Sequence, residues 1–422
     1  MTVKATPDAV ASLRDRARAR FEALGFPTTR DEEWRQTSVS AIAKAAFAAT
    51  PSAPIATTEL QATGLFPGPG ARVVLVDGRL DQERTDLSAL VGVSVRPIAE
   101  APEDLLGAVA PWENRPFAAW NTSAFDEGVF VDVAPGARVS APIDVVHVAT
   151  SGPKPRATHP RVAIRLGDGA EADVIETFLS LGDGETLTNA VTEIALGPNA
   201  KLDHQKIQAE AAQSWHVATL QARQARDSRF HSHNVSFGAA VVRNDVGAVL
   251  DGENAECHLY GLTLADGRQV VDNHTTLDHA KPHCPSWEMY KAILAGQARS
   301  IFNGRILVRQ DAQKTDAKQS NRNLILSREA LAFTRPQLEI YANDVKCTHG
   351  ATIGRLDEEQ LFYLRSRGIR RAEAHELLIH AFAAEVLDKI DRSDVRERIV
   401  AKMERRLPHL TGSCDRCAYG RV

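Results

Sequence analysis

No Gly-Lys dipeptide occurs anywhere in the 422 residues, so the G-x-x-x-x-G-K-[ST] cradle for a nucleotide phosphate is absent. Nor does a G-x-G-x-x-G follow any strand-like run. A nucleotide used in this protein's work must therefore be held by another chain. Strong charge of one sign is lacking too: 54 acidic side chains face 50 basic ones, a formal net charge of -4. That balance gives no reason to expect nucleic acid or an anionic membrane surface as a partner. Aromatic residues, at 6%, are too few to suggest base-stacking platforms. No stretch approaches the roughly 18 apolar residues of a membrane span, and the charged start MTVKATPDAVASLRDRARAR has no apolar signal segment. A soluble, cytoplasmic protein is the expectation. Cysteines number five, Cys257, Cys284, Cys347, Cys414 and Cys417. An odd count scattered over a long chain suits reduced thiols better than a disulfide framework.

What is present is an ordinary globular balance, 43% hydrophobic and 25% charged, in a chain long enough for two or three domains. Residues 6–25 read as a helix: Thr6 can cap it, Pro7 suits its first turn, and Gly25 can close it. Val10, Leu13, Ala17, Phe21 and Leu24 give it one apolar face. Residues 50–70, rich in Pro, Thr and Gly, read as an irregular linker before a short strand at 72–76.

From about residue 125, short β-rich runs alternate with similar turns, PGA, DGA, PNA and ENA. Their alanines, Ala137, Ala170, Ala200 and Ala255, are separated by 33, 30 and 55 residues. The last gap is close to two of the shorter ones, which predicts stacked two-strand units in a β-solenoid. An antiparallel sandwich is the plainer alternative. After residue 355 the pattern turns helical. Asp357 can cap a helix with Gln360 three residues on and Gly368 as its stop. Ala374, Leu378, Phe382, Val386 and Ile390 form a second stripe, and Val395, Ile399, Met403 and Leu407 a third, opened by Ser393. The expected fold is mainly β, a β-helix core over 111–354. An N-terminal helical and mixed domain (1–110) and a C-terminal helical domain (355–422) flank it. So small a helical core leaves apolar surface for docking a partner, with Leu361, Phe362 and Leu364 close together on its first helix.

Several groups have ligand chemistry. His231-x-His233 sets two imidazoles on one face of a strand, and DNHTTLDHAKPHC brings His274, His279, His283 and Cys284 into one short stretch. Together they define one functional alternative, a solenoid or cupin-like metalloenzyme. Cys347-Thr-His349 differs in pairing a soft thiolate with an imidazole on one strand face, a combination suited to iron or zinc. Two donors do not complete a tetrahedral site, so the rest must come from elsewhere, such as a second subunit. Cys414-Asp-Arg-Cys417 is half a metal site near a chain end, read as a mobile tail.

VKCTHGATIGRLDEEQLFYLRSRG (345–368) resembles the most characteristic segment of the SufB/SufD family of iron–sulfur cluster assembly proteins. SWEMYKAILAGQARSIFNGRILV (286–308), TDAKQSNRNLILS (315–327), TRPQLEIYANDVKC (334–347) and RDEEWRQT (30–37) are similar to further family blocks in the same order. Gly350 stands where SufB-type chains typically carry Glu, which points to the SufD side of the family. Asn343 departs from the aspartate pair common at 343–344. The resemblance implies a β-helix core between helical segments, pairing with a SufB-like subunit, with a SufC-like ABC ATPase held through the C-terminal helices. It implies a non-catalytic accessory scaffold that binds no nucleotide itself, with a homodimer as the state of the isolated chain. Cys347 and His349 match positions at the SufB interface, where a transient iron–sulfur cluster shared with the partner is expected.

Overall fold

Between residues 129 and 354 successive strands alternate between two sheets, and each pairs in parallel, in register, with the strand one coil later. The computed structural model describes residues 7–48 and 55–411. One sheet stacks Glu171–Leu181, Lys201–Ala209, Arg229–Ser236, Glu256–Ala265, Pro285–Leu294, Asp316–Ile325 and Lys346–Gly354. The other stacks Thr186–Leu196, Trp215–Gln224, Val241–Leu250, Val270–His279, Arg299–Val308 and Leu331–Ile340. This is the expected β-solenoid, not a sandwich, whose ladders would be antiparallel.

Its corners explain the uneven turn spacing. Gly136, Gly169, Asn199, Asp227, Asn254, His283 and Lys314 all hold left-handed turns, with φ between 57° and 69°. Gly, Asn and Asp tolerate that conformation at little cost. The residue after each turn is small and points into the corner: Ala170, Ala200, Ser228, Ala255 and Cys284 are fully buried. Ser228 is the rung hidden in the 55-residue gap. Cys284 is the next, and its Sγ donates to the Gly252 carbonyl at 3.3 Å.

A solenoid's parallel sheets need both faces covered. Inside, Val131, Ile164, Val174, Leu202, Phe230, Leu259 and Leu277 make one apolar layer. The other half of the interior is polar, with Glu176 accepting from His147 (3.1 Å), His204 (3.0 Å) and the Thr192 hydroxyl (2.9 Å). Outside, the C-terminal helices Glu358–Ser366 (with Asp357 accepting from the Glu359 amide at 2.8 Å), Arg371–Leu387 and Ser393–Thr411 follow the last coil. Ile379, Ala383, Val386, Ile399 and Met403 pack onto Val235, Leu262 and Ile293 of the first sheet. The stripe Val395, Ile399, Met403 and Leu407 is buried throughout. In the second helix the buried face turns: Ala374 and Val386 lie inward with Ile379, Ala383 and Leu387, Leu378 and Phe382 are half-buried, and Ile390 is buried just beyond the helix end. The helices therefore clad the β core as well as one another.

The N-terminal segment also joins the core. Helix Pro7–Leu24 ends at Gly25 (φ 64°) and packs Val10, Leu13 and Ala17 beside Ala163 and Val191. Within the segment expected to be irregular, helix Thr57–Ala62 buries Leu60 against the first sheet. Arg72–Val76 pairs in parallel with Ile143–Thr150, and Val93–Pro97 pairs antiparallel with Val129–Val133. Both sheets thus begin before residue 111. Of the EEW motif, Trp34 lies under the Arg243 guanidinium at 4.4 Å, and Arg243 is clamped by Asp245 (2.8 Å) and Asp272 (2.9 Å). No helix among the described residues is long and apolar enough to cross a membrane.

Candidate functional site at the open end of the solenoid

Among the described residues the last coil has no successor: Lys346–Gly354 pairs only with Asp316–Ile325, and Leu331–Ile340 only with Arg299–Val308. Each strand therefore ends its sheet with unpaired backbone donors and acceptors. Leu331, Ile340, Tyr341 and Ile353 are exposed along this rim. A long strand edge fringed with apolar side chains is a template for pairing with another chain.

Register fixes what the rim presents. Cys347 lies one rung beyond Ala317, in a column with Phe230, Cys257 and Ser286 that lines the solenoid interior. It is half-buried against the apolar layer, and burial, helped by the charge of Asp316, pushes its thiol above the ordinary value. His349 lies one rung beyond Gln319 in the next inward column and is exposed, because no further coil covers it. The two side chains share one strand face, as Cys-x-His spacing predicts. Directly behind them the Gln319 amide donates to the Glu288 carboxyl one coil back. Complete burial pushes Glu288 up to about 7. Gln319 and Glu288 escaped sequence reasoning, since they stand behind Cys347 and His349 through coil stacking: Gln319 is 30 residues before His349, and Glu288 a further 31 before Gln319. Among the described residues, Cys347 and His349 gather no third His, Cys, Asp or Glu within ligand distance. A single chain therefore offers two donors here, on one strand face.

The other candidates fall differently. On the first C-terminal helix Leu361 is only 4% exposed and packs inward, Leu364 is half-buried, and Phe362 stands out at 73% exposure beside exposed Tyr363. Any docking surface there is carried by Phe362 and Tyr363. The metalloenzyme alternative does not assemble. His233 shares the outward strand face with His231 but is covered, stacked on Tyr260 at 4.9 Å, and burial holds it down to about 3. His274 faces outward onto Asp272 (3.0 Å), His279 faces inward onto Ser286 (3.0 Å), and His283 occupies an exposed turn. Alternation along the strand sends His274 and His279 to opposite faces, so the three cannot share an ion. Cys414 and Cys417 lie outside the described residues.

Residues 147–382 match the family described as "SUF system FeS cluster assembly, SufBD core domain". The chain is similar to the iron–sulfur cluster assembly protein SufD of Escherichia coli (strain K12), 34% identical over 91% of this chain and 90% of that protein. It is also similar to an iron–sulfur cluster assembly SufBD family protein of Synechocystis, 30% identical over 94% of this chain and 91% of the relative.

Proposed function

Because the chain belongs to the SufBD family of iron–sulfur cluster assembly proteins, we propose that it is the SufD-type accessory scaffold of that system. It works in the cytoplasm, pairs with a SufB-like subunit and engages a SufC-like ABC ATPase. The observation that carries this reading is the uncovered last coil, with two unpaired strand edges and the half-site of Cys347 and His349 between them. A second solenoid adding its own last coil would satisfy the free backbone groups and bury the rim's apolar side chains. It would also bring the missing ligands. A thiolate and an imidazole supply two donors, whereas iron in a cluster is held by four, counting the bridging sulfides. Without that partner the same rim is open to a second copy of this chain. The chain carries no phosphate cradle, so ATP turnover belongs to the ATPase, held through the exposed face around Phe362.

The test is co-expression of the full chain with the SufB-like and SufC-like proteins of its own genome. A three-protein complex carrying iron and acid-labile sulfide is the expected product. Cys347→Ser and His349→Ala should leave the complex and its melting temperature intact while lowering sulfide several-fold. Full sulfide in both variants would reduce the two residues to packing, and failure of the proteins to associate would overturn the scaffold reading.

A further inference from the structure

Away from the rim, on the outer face of the first sheet, alternate positions of stacked strands form a polar ladder. Asp203, His231 and His258 occupy successive rungs, with Glu256 two residues before His258. The two imidazoles lie parallel, 4.6 Å apart and inclined by 4°. Their Nε2 atoms face one and the same oxygen, Glu256 Oε1, at 3.5 Å from His231 and 3.4 Å from His258. Each ring is held from its other side. His231 Nδ1 meets Asp203 Oδ1 at 3.0 Å, and His258 Nδ1 faces Tyr260 Oη at 3.4 Å, an oxygen able to accept the ring N–H.

We propose that His231, Glu256 and His258 form a site for one divalent first-row transition-metal ion of the zinc(II) or iron(II) kind. Two imidazoles and a carboxylate are a common donor set for such ions. Ligand bonds of about 2.0–2.1 Å in a tetrahedral site place neighbouring donors about 3.3–3.4 Å apart, and the two Nε2···Oε1 separations match that edge. Asp203 supplies the carboxylate behind a ligating histidine that commonly fixes tautomer and ring orientation. The stacked rings must turn apart for both lone pairs to meet one ion, a rotation that three partly exposed side chains can make. Such a site leaves a fourth position open to water or to a ligand arriving from solution. It lies three rungs from the last coil, about 14 Å at ordinary strand spacing, and faces outward where Cys347 faces inward. It is therefore separate from the cluster half-site.

Titration of the full-length protein with cobalt(II), read by visible absorption, tests the assignment. The expected result is one saturable equivalent with ligand-field bands and no thiolate-to-metal charge-transfer band in the near ultraviolet, displaced by zinc(II). Glu256→Gln, which keeps the side chain's shape, and His258→Ala should each abolish that equivalent. Asp203→Asn should weaken it roughly 10–100-fold. Zinc(II) should raise the melting temperature of the unaltered protein and leave that of Glu256→Gln unchanged. Absence of saturable binding, or binding that persists in both Glu256→Gln and His258→Ala, overturns the proposal. So does a spectrum showing only thiolate charge transfer.

Discussion

Glu288 is a carboxyl placed where ionisation is costly: fully buried, with the Gln319 amide on it and Cys347 and His349 one coil further on. Its folded pKa, pushed up to about 7, lies above that of an unfolded glutamate. The unfolded chain therefore releases this proton first, and stability is lost as pH rises from about 4.5 to 7. Glu288→Gln should remove that loss, raising stability at pH 8 by roughly 1–3 kcal/mol while changing little at pH 5. Urea denaturation at the two pH values measures it, and an equal effect at both would mean that Glu288 does not ionise within the fold. Such residues mark what the sequence leaves unreadable. Cys347 and His349 are legible because alternation along one strand relates them. Glu288 reaches them only through coil register, and His258 reaches His231 in the same way across 27 residues. A reading confined to neighbours in the chain pairs His231 with His233 instead, and that histidine is covered.

At the scale of elements, the C-terminal helices show how one amphipathic pattern serves two surfaces. The stripe of Val395, Ile399, Met403 and Leu407 was legible because one face of that helix is buried from Val395 to Leu407. The buried face of Arg371–Leu387 departs from its i, i+4 stripe by part of a turn, since that helix also meets the sheet. There the Lys291 ammonium, drawn into the core, donates to the Phe382 carbonyl at 2.9 Å. Deleting the helices would strip Val235, Leu262 and Ile293, so it confounds partner loss with unfolding. Point changes separate the two. Phe362→Glu, on an exposed side chain, should cut ATPase capture at least tenfold without moving the melting temperature, as expected for an aromatic anchor in an interface. Leu361→Ala, one residue away but buried, should destabilise the chain by roughly 2–4 kcal/mol. Calorimetry and pull-down on both variants decide it: normal capture by Phe362→Glu would move the docking surface off this helix.

For the whole molecule, the solenoid was legible because every coil repeats one corner, and irregular where Ser228, Cys284 or Thr315 replaces alanine. Its polar interior was not, since a half-polar core and a solvated strand face look alike in an alternating sequence. That interior and the cladding layers hold histidines away from water. Burial lowers His159, His216 and His279 to about 4 and His233 to about 3, all below the unfolded value. A histidine kept neutral in the fold lets the unfolded chain take up the proton first, so stability falls as pH drops below about 6.5 and keeps falling toward 4. Two buried carboxyls act in the opposite sense: Glu288 at about 7 and Asp144, which burial raises to about 6 against the pull of Arg398. They bind protons in the fold before the unfolded chain does, and so add stability over the same descent. Four histidines oppose two acids, each displaced from its ordinary value to a comparable extent, and the histidines prevail. Each group contributes about 1.4 kcal/mol for every pH unit over which it is protonated in one state and not the other. Stability should therefore drop by a few kcal/mol, on the order of 4, between pH 7 and pH 5. Equilibrium urea unfolding across that range measures it. A chain equally stable at both ends would show that the histidines are protonated within the fold, with the polar interior as their counter-charge.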